Sequence, residues 1–244
     1  MNVWGVLRWM SWQALGMALV LCPVSEVRAA DTSAVPATPD LALRLRACAA
    51  CHGKEGRAAP DGFYPRIAGK PAAYLYNQLR NFRDGRRHNG SMVYLVEQLS
   101  DDYLREIATY FAELDLPYPA APAPQATPAV LAWGAHLVRE GDPSRKIPAC
   151  SACHGQRLTG TLPAIPGLLG LPRSYLSSQI GAWQSHVRAA QAPDCMGEVA
   201  HRLTPSDVAA VSAWLAAQPL PSDTRPAAAA PGRLPLDCGS SAQP

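Results

Sequence analysis

The sequence predicts an all-α protein made of two tandem copies of one small domain. Three observations carry this prediction. The first is an internal repeat. Cys48, Cys51, His52 and Gly53 recur as Cys150, Cys153, His154 and Gly155. Gly69, Pro71, Tyr74, Leu75, Gln78 and Leu79 recur as Gly170, Pro172, Tyr175, Leu176, Gln179 and Ile180. Pro65 corresponds to Pro166 and Phe82 to Trp183, while Met92 and Leu99 return as Met196 and Leu203. The second observation is apolar spacing of helical period in matching stretches of both copies. The third is the lack of any alternating strand pattern of useful length.

The elements follow in order. Leu41 to Cys48 reads as a short helix leading into the first cysteine pair. Pro71 stands where a first helical turn tolerates proline, and Ala72 to Phe82 carries Tyr, Leu, Gln and an aromatic at helical spacing. A closing helix starts at Ser100, a good N-cap followed by acidic residues. It is expected to bury Leu104, Ile107, Tyr110 and Phe111. Residues 117–128 are rich in Pro and Ala and read as a semi-rigid spacer. In the second copy Val130 to Glu140 leads in, Arg173 to Trp183 follows Pro172, and Thr204 caps a closing helix with Val208, Val211, Trp214 and Leu215 inward. The expected domains are therefore residues 30–116 and 129–218. A Pro/Ala-rich tail, 219–244, is expected to be poorly ordered.

The N-terminus reads as an export signal over residues 1–29. Arg8 closes a short basic region, Trp9 to Cys22 is apolar but too short for a comfortable bilayer span, and cleavage is expected after Ala29 or Ala30. A Leu directly before Cys22 fits a lipidation site poorly, so secretion to the periplasm is expected, with an uncleaved anchor as the alternative. Peripheral association with the membrane is compatible with this. Charge is nearly balanced, with Lys+Arg 22 against Asp+Glu 19, and no basic block suggests nucleic-acid binding. Only three Phe are present among 244 residues, so a bound apolar cofactor would supply bulk that such small domains otherwise lack.

Cys-x-x-Cys-His is the signature of covalent c-type haem attachment. Two thiols one helical turn apart can reach two vinyl groups, and the adjoining His can then ligate iron. This assigns two haem c groups, one held by Cys48 and Cys51 and the other by Cys150 and Cys153, with His52 and His154 as axial ligands. Zinc would need a second Cys/His pair at each centre, and a redox dithiol of thioredoxin type would need strands; neither is evident. Met1, Met10 and Met17 lie in the signal region, leaving Met92 and Met196 at matched positions ahead of each closing helix. These two are expected as sixth ligands rather than core filler. His/Met ligation raises the reduction potential and leaves no open coordination site, which suits electron transfer rather than catalysis.

Pro65 and Pro166 either present carbonyls to the two histidines or only shape the loops. Arg83, Arg86 and Arg87 form either a solvated basic face or a site for haem propionates or an acidic partner. Cys195 and Cys238 are the remaining mature cysteines. A disulfide is the simplest account; free thiols, or Cys195 as an iron ligand in place of Met196, are the alternatives. His88, His136, His186 and His201 read as surface or structural residues.

With these motifs in place, residues 41 to 218 resemble the cytochrome c4 family of dihaem class I cytochromes c. The resemblance rests on the paired attachment motifs, the matched Pro-x-x-Tyr-Leu-x-x-Gln stretches and the paired methionines. It implies two class I cytochrome c folds, each wrapping one covalent haem, with His52/Met92 on one iron and His154/Met196 on the other. It also implies a non-enzymatic carrier that relays electrons between respiratory complexes, a terminal oxidase among the acceptors. The rival functions are a dihaem oxidoreductase, of peroxidase or thiosulfate dehydrogenase type, and a cytochrome subunit of a periplasmic dehydrogenase. The long tail and the extra cysteine pair depart from the family pattern.

Overall fold

A computed structural model describes residues 40–58, 63–228 and 233–241. The expected signal segment lies outside these residues. The described chain is helical apart from one two-stranded antiparallel pair, β1 (Gly160–Thr161) with β2 (Ile165–Pro166). In the first half the order is α1 (Leu41–Arg44), α2 (Arg46–His52), α3 (Ala72–Arg83), α4 (Gly90–Val96) and α5 (Asp101–Ala112). The second half runs α6 (Pro128–Arg139), α7 (Cys150–His154), β1, β2, α8 (Arg173–Gln184), α9 (Cys195–Arg202) and α10 (Pro205–Ala216).

Several elements differ from the sequence expectation. The lead-in helix is broken at Leu45 and then continues through His52. Pro71 and Pro172 are N-caps, one position ahead of the first helical turn. The two methionines sit inside short helices of their own, α4 and α9. Those segments have too few apolar repeats to signal a helix, and the polar caps Asn89 and Asp194 define their starts instead.

Each half buries its own apolar cluster. Leu75, Phe82, Leu104, Ile107 and Phe111 form one, where α3 packs on α5. Tyr110 is only half-buried. Leu137, Val138, Leu176, Val208, Val211, Trp214 and Leu215 form the other. There α6 crosses α10 so closely that a Cβ on Gly134 would stand 2.3 Å from the Ala210 carbonyl oxygen. Glycine at this crossing is therefore a packing requirement.

Asp207 ties the second half together. It is 3 % exposed. Its Oδ2 accepts from Arg145 Nη1 at 2.7 Å and from Thr204 N at 2.9 Å, and its Oδ1 accepts from Trp133 Nε1 at 2.8 Å. The Thr204 hydroxyl in turn accepts from the Asp207 N–H, completing a capping box. Burial alone would raise this carboxyl, but its donors outweigh burial and hold it well below the carboxylate range.

In the Pro/Ala-rich tail the described residues, 219–228 and 233–241, are tied to the fold, contrary to expectation. Ala227 donates to the Gly160 carbonyl at 2.9 Å and accepts from Leu162 N–H at 2.8 Å, extending the β1 edge. Cys238 forms a disulfide with Cys195, with Cα atoms 5.1 Å apart. The Ser240 carbonyl accepts from Asn77 Nδ2 at 2.9 Å. Composition missed this because backbone pairing and a crosslink, not side-chain burial, hold the segment.

Two stability predictions follow. Asp207→Ala lowers stability by about 2 kcal/mol near neutral pH, because it removes the buried acceptor shared by Trp133, Thr204 and Arg145. Asp207 has a folded pKa below its unfolded value, so its contribution is complete above about pH 4 and is lost as pH falls further. Denaturation of wild type and variant at pH 7 and pH 3 checks this, the gap narrowing at pH 3. Cys238→Ser lowers stability by about 3–4 kcal/mol through lost loop closure, and the wild type matches the variant once reduced.

Candidate functional site

Both attachment motifs lie on short helices that end at a glycine. In α2, Cys48 and Cys51 are one turn apart and His52 is the last helical residue. Gly53 then adopts φ +77°, and a Cβ there would approach the Ala58 carbonyl oxygen to 2.2 Å. Glycine alone allows this exit. In α7, Cys150, Cys153 and His154 repeat the arrangement, with Gly155 at φ +82°.

The histidines are fixed by backbone. His52 Nδ1 donates to the Pro65 carbonyl at 2.8 Å, and His154 Nδ1 donates to the Pro166 carbonyl at 2.8 Å. A carbonyl oxygen can only accept, so Nδ1 carries the proton and Nε2 presents a lone pair. Proline has no N–H of its own, and here its carbonyl is put to use. Burial pushes both imidazoles below their ordinary pKa, against the opposing effect of the proline carbonyls. Both are therefore held neutral, the form that ligates a metal.

The cysteines point to attachment rather than to redox exchange. Cys48, Cys51, Cys150 and Cys153 form no disulfide. Burial raises the Cys48 and Cys153 thiols and pushes Cys150 up to about 12. A reactive dithiol needs a depressed pKa. Among the described residues, no group of three or more His, Cys, Asp or Glu side chains is placed to hold a metal ion.

Met92 and Met196 line the same cavity as the motifs. Asn89 Oδ1 accepts from Met92 N–H at 3.1 Å and so begins α4. Asp194 does the same for α9, accepting from Gly197 N–H at 2.9 Å while also holding Trp183 Nε1 at 3.2 Å. Cys195 is committed to its disulfide, so it offers no thiolate to compete with Met196. His88, His186 and His201 are exposed, and His136 is half-buried.

The cavity is continuous, about 850 Å³, and lined by both halves. Its walls are mainly aliphatic and aromatic, including Leu75, Phe82, Leu176 and Trp183. The halves meet at a polar seam. Arg87 donates to Gln78 Oε1 at 2.9 Å and to Gln179 Oε1 at 2.6 Å. Arg188 donates to the same two oxygens, at 3.0 and 2.7 Å respectively. Backbone bonds flank this ring: His88 N–H to the Val187 carbonyl at 2.9 Å and Ala189 N–H to the Arg86 carbonyl at 2.6 Å. The Tyr74 phenol lies within the field of Arg188, and the Tyr175 phenol within that of Arg87. Neither arginine has a carboxylate partner among the described ion pairs. Burial pushes the Arg188 guanidinium down, as expected for a cation short of negative charge.

The sequence reading grouped Arg83, Arg86 and Arg87 as one basic cluster. The structure divides them. Arg83 binds Asp101 at 2.6 Å and Arg86 binds Asp84 at 2.7 Å, while Arg87 turns inward to the seam. Arg188 went unnoticed, yet it follows Arg87 at the interval that separates Pro65 from Pro166 and Gln78 from Gln179.

Several known proteins resemble this chain. A family model described as cytochrome C oxidase, cbb3-type, subunit III matches residues 42–111. The chain is 41% identical over 202 residues to a thiosulfate dehydrogenase electron acceptor of Thiomonas intermedia (strain K12), covering 82% of this chain and 89% of that protein. It is 32% identical over 170 residues to cytochrome c4 of Pseudomonas aeruginosa, covering 69% of this chain and 82% of the other. Reduced recombinant cytochrome c4 from Pseudomonas stutzeri superimposes with TM-score 0.61 at 28% identity, over 72% of this chain and 95% of that one. The thiosulfate dehydrogenase TsdBA from Marichromatium purpuratum, in its as-isolated form, gives TM-score 0.63 at 36% identity over 71% of this chain. The matched part is 36% of that longer chain.

The seam makes a prediction. Arg188→Met lowers stability by about 2 kcal/mol, since it strips charged donors from two half-buried carboxamides. A double-mutant cycle of Arg188→Met with Gln78→Ala gives a coupling of about 1 kcal/mol. Denaturant unfolding measures both.

Proposed function

The chain belongs to the cytochrome c4 family, and from that premise we propose that it is a periplasmic dihaem electron carrier. Its donor, in this reading, is a thiosulfate-oxidising dehydrogenase, and its acceptors are respiratory complexes. The observation that carries the reading is the matched pair of Cys-Cys-His-Met constellations opening on one cavity. The donor class is supported by relatives named thiosulfate dehydrogenase electron acceptor, at 41% and 32% identity. Among the described residues, no helix is long and apolar enough to cross a membrane, which is compatible with export as a water-exposed chain.

The residues fit the group. Cys48 and Cys51 would hold one haem c and Cys150 and Cys153 the other, each through thioether bonds. His52 with Met92, and His154 with Met196, would supply axial ligands. Bound there, the group provides a one-electron Fe(III)/Fe(II) couple. The chain's own part is to hold, tune and connect. The Pro65 and Pro166 carbonyls orient the imidazoles and increase their basicity as ligands. Met92 and Met196 would hold the iron through their thioethers and would favour its ferrous state. Apolar walls keep water from the ring and limit reorganisation. Arg87, Arg188, Tyr74 and Tyr175 would receive the carboxylates of the group at the seam, which draws both centres toward one shared polar patch.

The test has two parts. A pyridine haemochrome assay on protein matured with the c-type attachment machinery gives two haems per chain. Stopped-flow mixing with a thiosulfate dehydrogenase and thiosulfate then reduces both, whereas thiosulfate alone does not. One haem per chain, or thiosulfate oxidation by the isolated chain, overturns the proposal.

A further inference from the structure

Lys70 belongs to the first repeat but serves the second. It is 5 % exposed and makes no ion pair among the described residues. Its Nζ donates to the Gly167 carbonyl at 3.2 Å. Gly167 directly follows Pro166, whose carbonyl takes the His154 Nδ1 proton at 2.8 Å. A buried ammonium from one repeat thus stands beside the peptide that orients the histidine of the other. Lys70 also lines the shared cavity.

The two repeats handle this position differently. The residue after Pro65 is Arg66, equally buried and on the lining of the same cavity, but it is engaged by backbone carbonyls and a ring. Its guanidinium donates to the carbonyls of Leu116 and Pro117 at 2.5 and 3.2 Å and stacks on the Tyr118 ring at 3.8 Å. The residue after Pro166 is Gly167, where a Cβ would approach the Thr159 carbonyl oxygen to 2.6 Å. No side chain of its own can occupy that place, and Lys70 reaches it from the other repeat. The repeat equivalent of Lys70 is Leu171, so no matching ammonium is returned to the first site.

We propose that Lys70 is a potential-setting residue of the second haem site, supplied across the repeat boundary. The inference rests on the two-haem reading above. Oxidation adds a positive charge to the iron, and a buried cation nearby opposes it more strongly than it would in water. Lys70 therefore favours the ferrous state at His154 and Met196. The arginines of the seam are shared nearly symmetrically, so they act on both sites together. Lys70 is the cation that acts on one. The two repeats are in this sense not independent modules, and the second would be easier to oxidise without the first.

The experiment is an optical redox titration of the full, haem-loaded chain, with haem-methyl NMR assigning each step to its repeat. The variants are Lys70→Met, Lys70→Gln and Lys70→Arg. Loss of charge is expected to shift the electron's partition between the two sites about tenfold toward the first, equal to about 59 mV for a one-electron couple. The first site's potential stays in place, and Lys70→Arg, which keeps the charge, leaves the partition close to that of the wild type. Lys70→Gln keeps a hydrogen-bond donor for the Gly167 carbonyl, so it separates charge from anchoring even if Lys70→Met matures poorly. Unchanged potentials, equal shifts at both sites, or a shift in Lys70→Met that is absent in Lys70→Gln would each overturn the proposal. A wild-type chain lacking two Met-ligated centres would instead overturn the reading beneath it, and this is seen before any variant is compared.

Discussion

The constraint on which this fold depends is an apolar volume that its own side chains do not fill. Each half has only a few short helices, and they close around a shared cavity of about 850 Å³. Close packing normally leaves few voids larger than a water. A mainly apolar cleft of this volume is of the size that holds a cofactor. The surrounding chemistry narrows what that group is: buried thiols driven toward their neutral form, imidazoles held neutral by burial and fixed by proline carbonyls, and thioethers on the lining. Each feature suits covalent haem, and the set does not suit zinc or dithiol exchange.

The seam shows how one domain becomes a pair. Two arginines and two glutamines from equivalent positions form a closed ring of hydrogen bonds, which an approximate two-fold relation between the halves makes possible. Two guanidinium groups at this distance repel each other. Carboxamide and phenol oxygens relieve this only in part, so the seam is suited to receive anions. The negative charge it calls for is what two porphyrins with carboxylate side arms would bring.

Much of this was legible in the sequence. The attachment motifs fall at the ends of α2 and α7, the closing helices start beside Ser100 and Thr204, and Cys195 and Cys238 are joined. Three things were not legible. The helices that carry Met92 and Met196 are set by single polar caps and are too short for a periodic signal. The tail is held by backbone pairing at Ala227 and by Cys238, which composition does not report. Lys70 and Arg188 act across the repeat boundary, and a motif search within one repeat cannot see a partner in the other. For Arg188 the repeat interval itself held the clue. For Lys70 the clue was a break in the repeat, Lys against Leu171.

The proposed carrier role requires both irons to be closed by methionine. Near-infrared magnetic circular dichroism of the oxidised, haem-loaded protein identifies axial ligand pairs directly. The expected spectrum shows the His/Met signature at an intensity corresponding to two haems per chain. A His/His, thiolate or five-coordinate contribution from either centre would contradict the account, because it would replace a closed electron relay with an iron of different potential or with a site open to substrate.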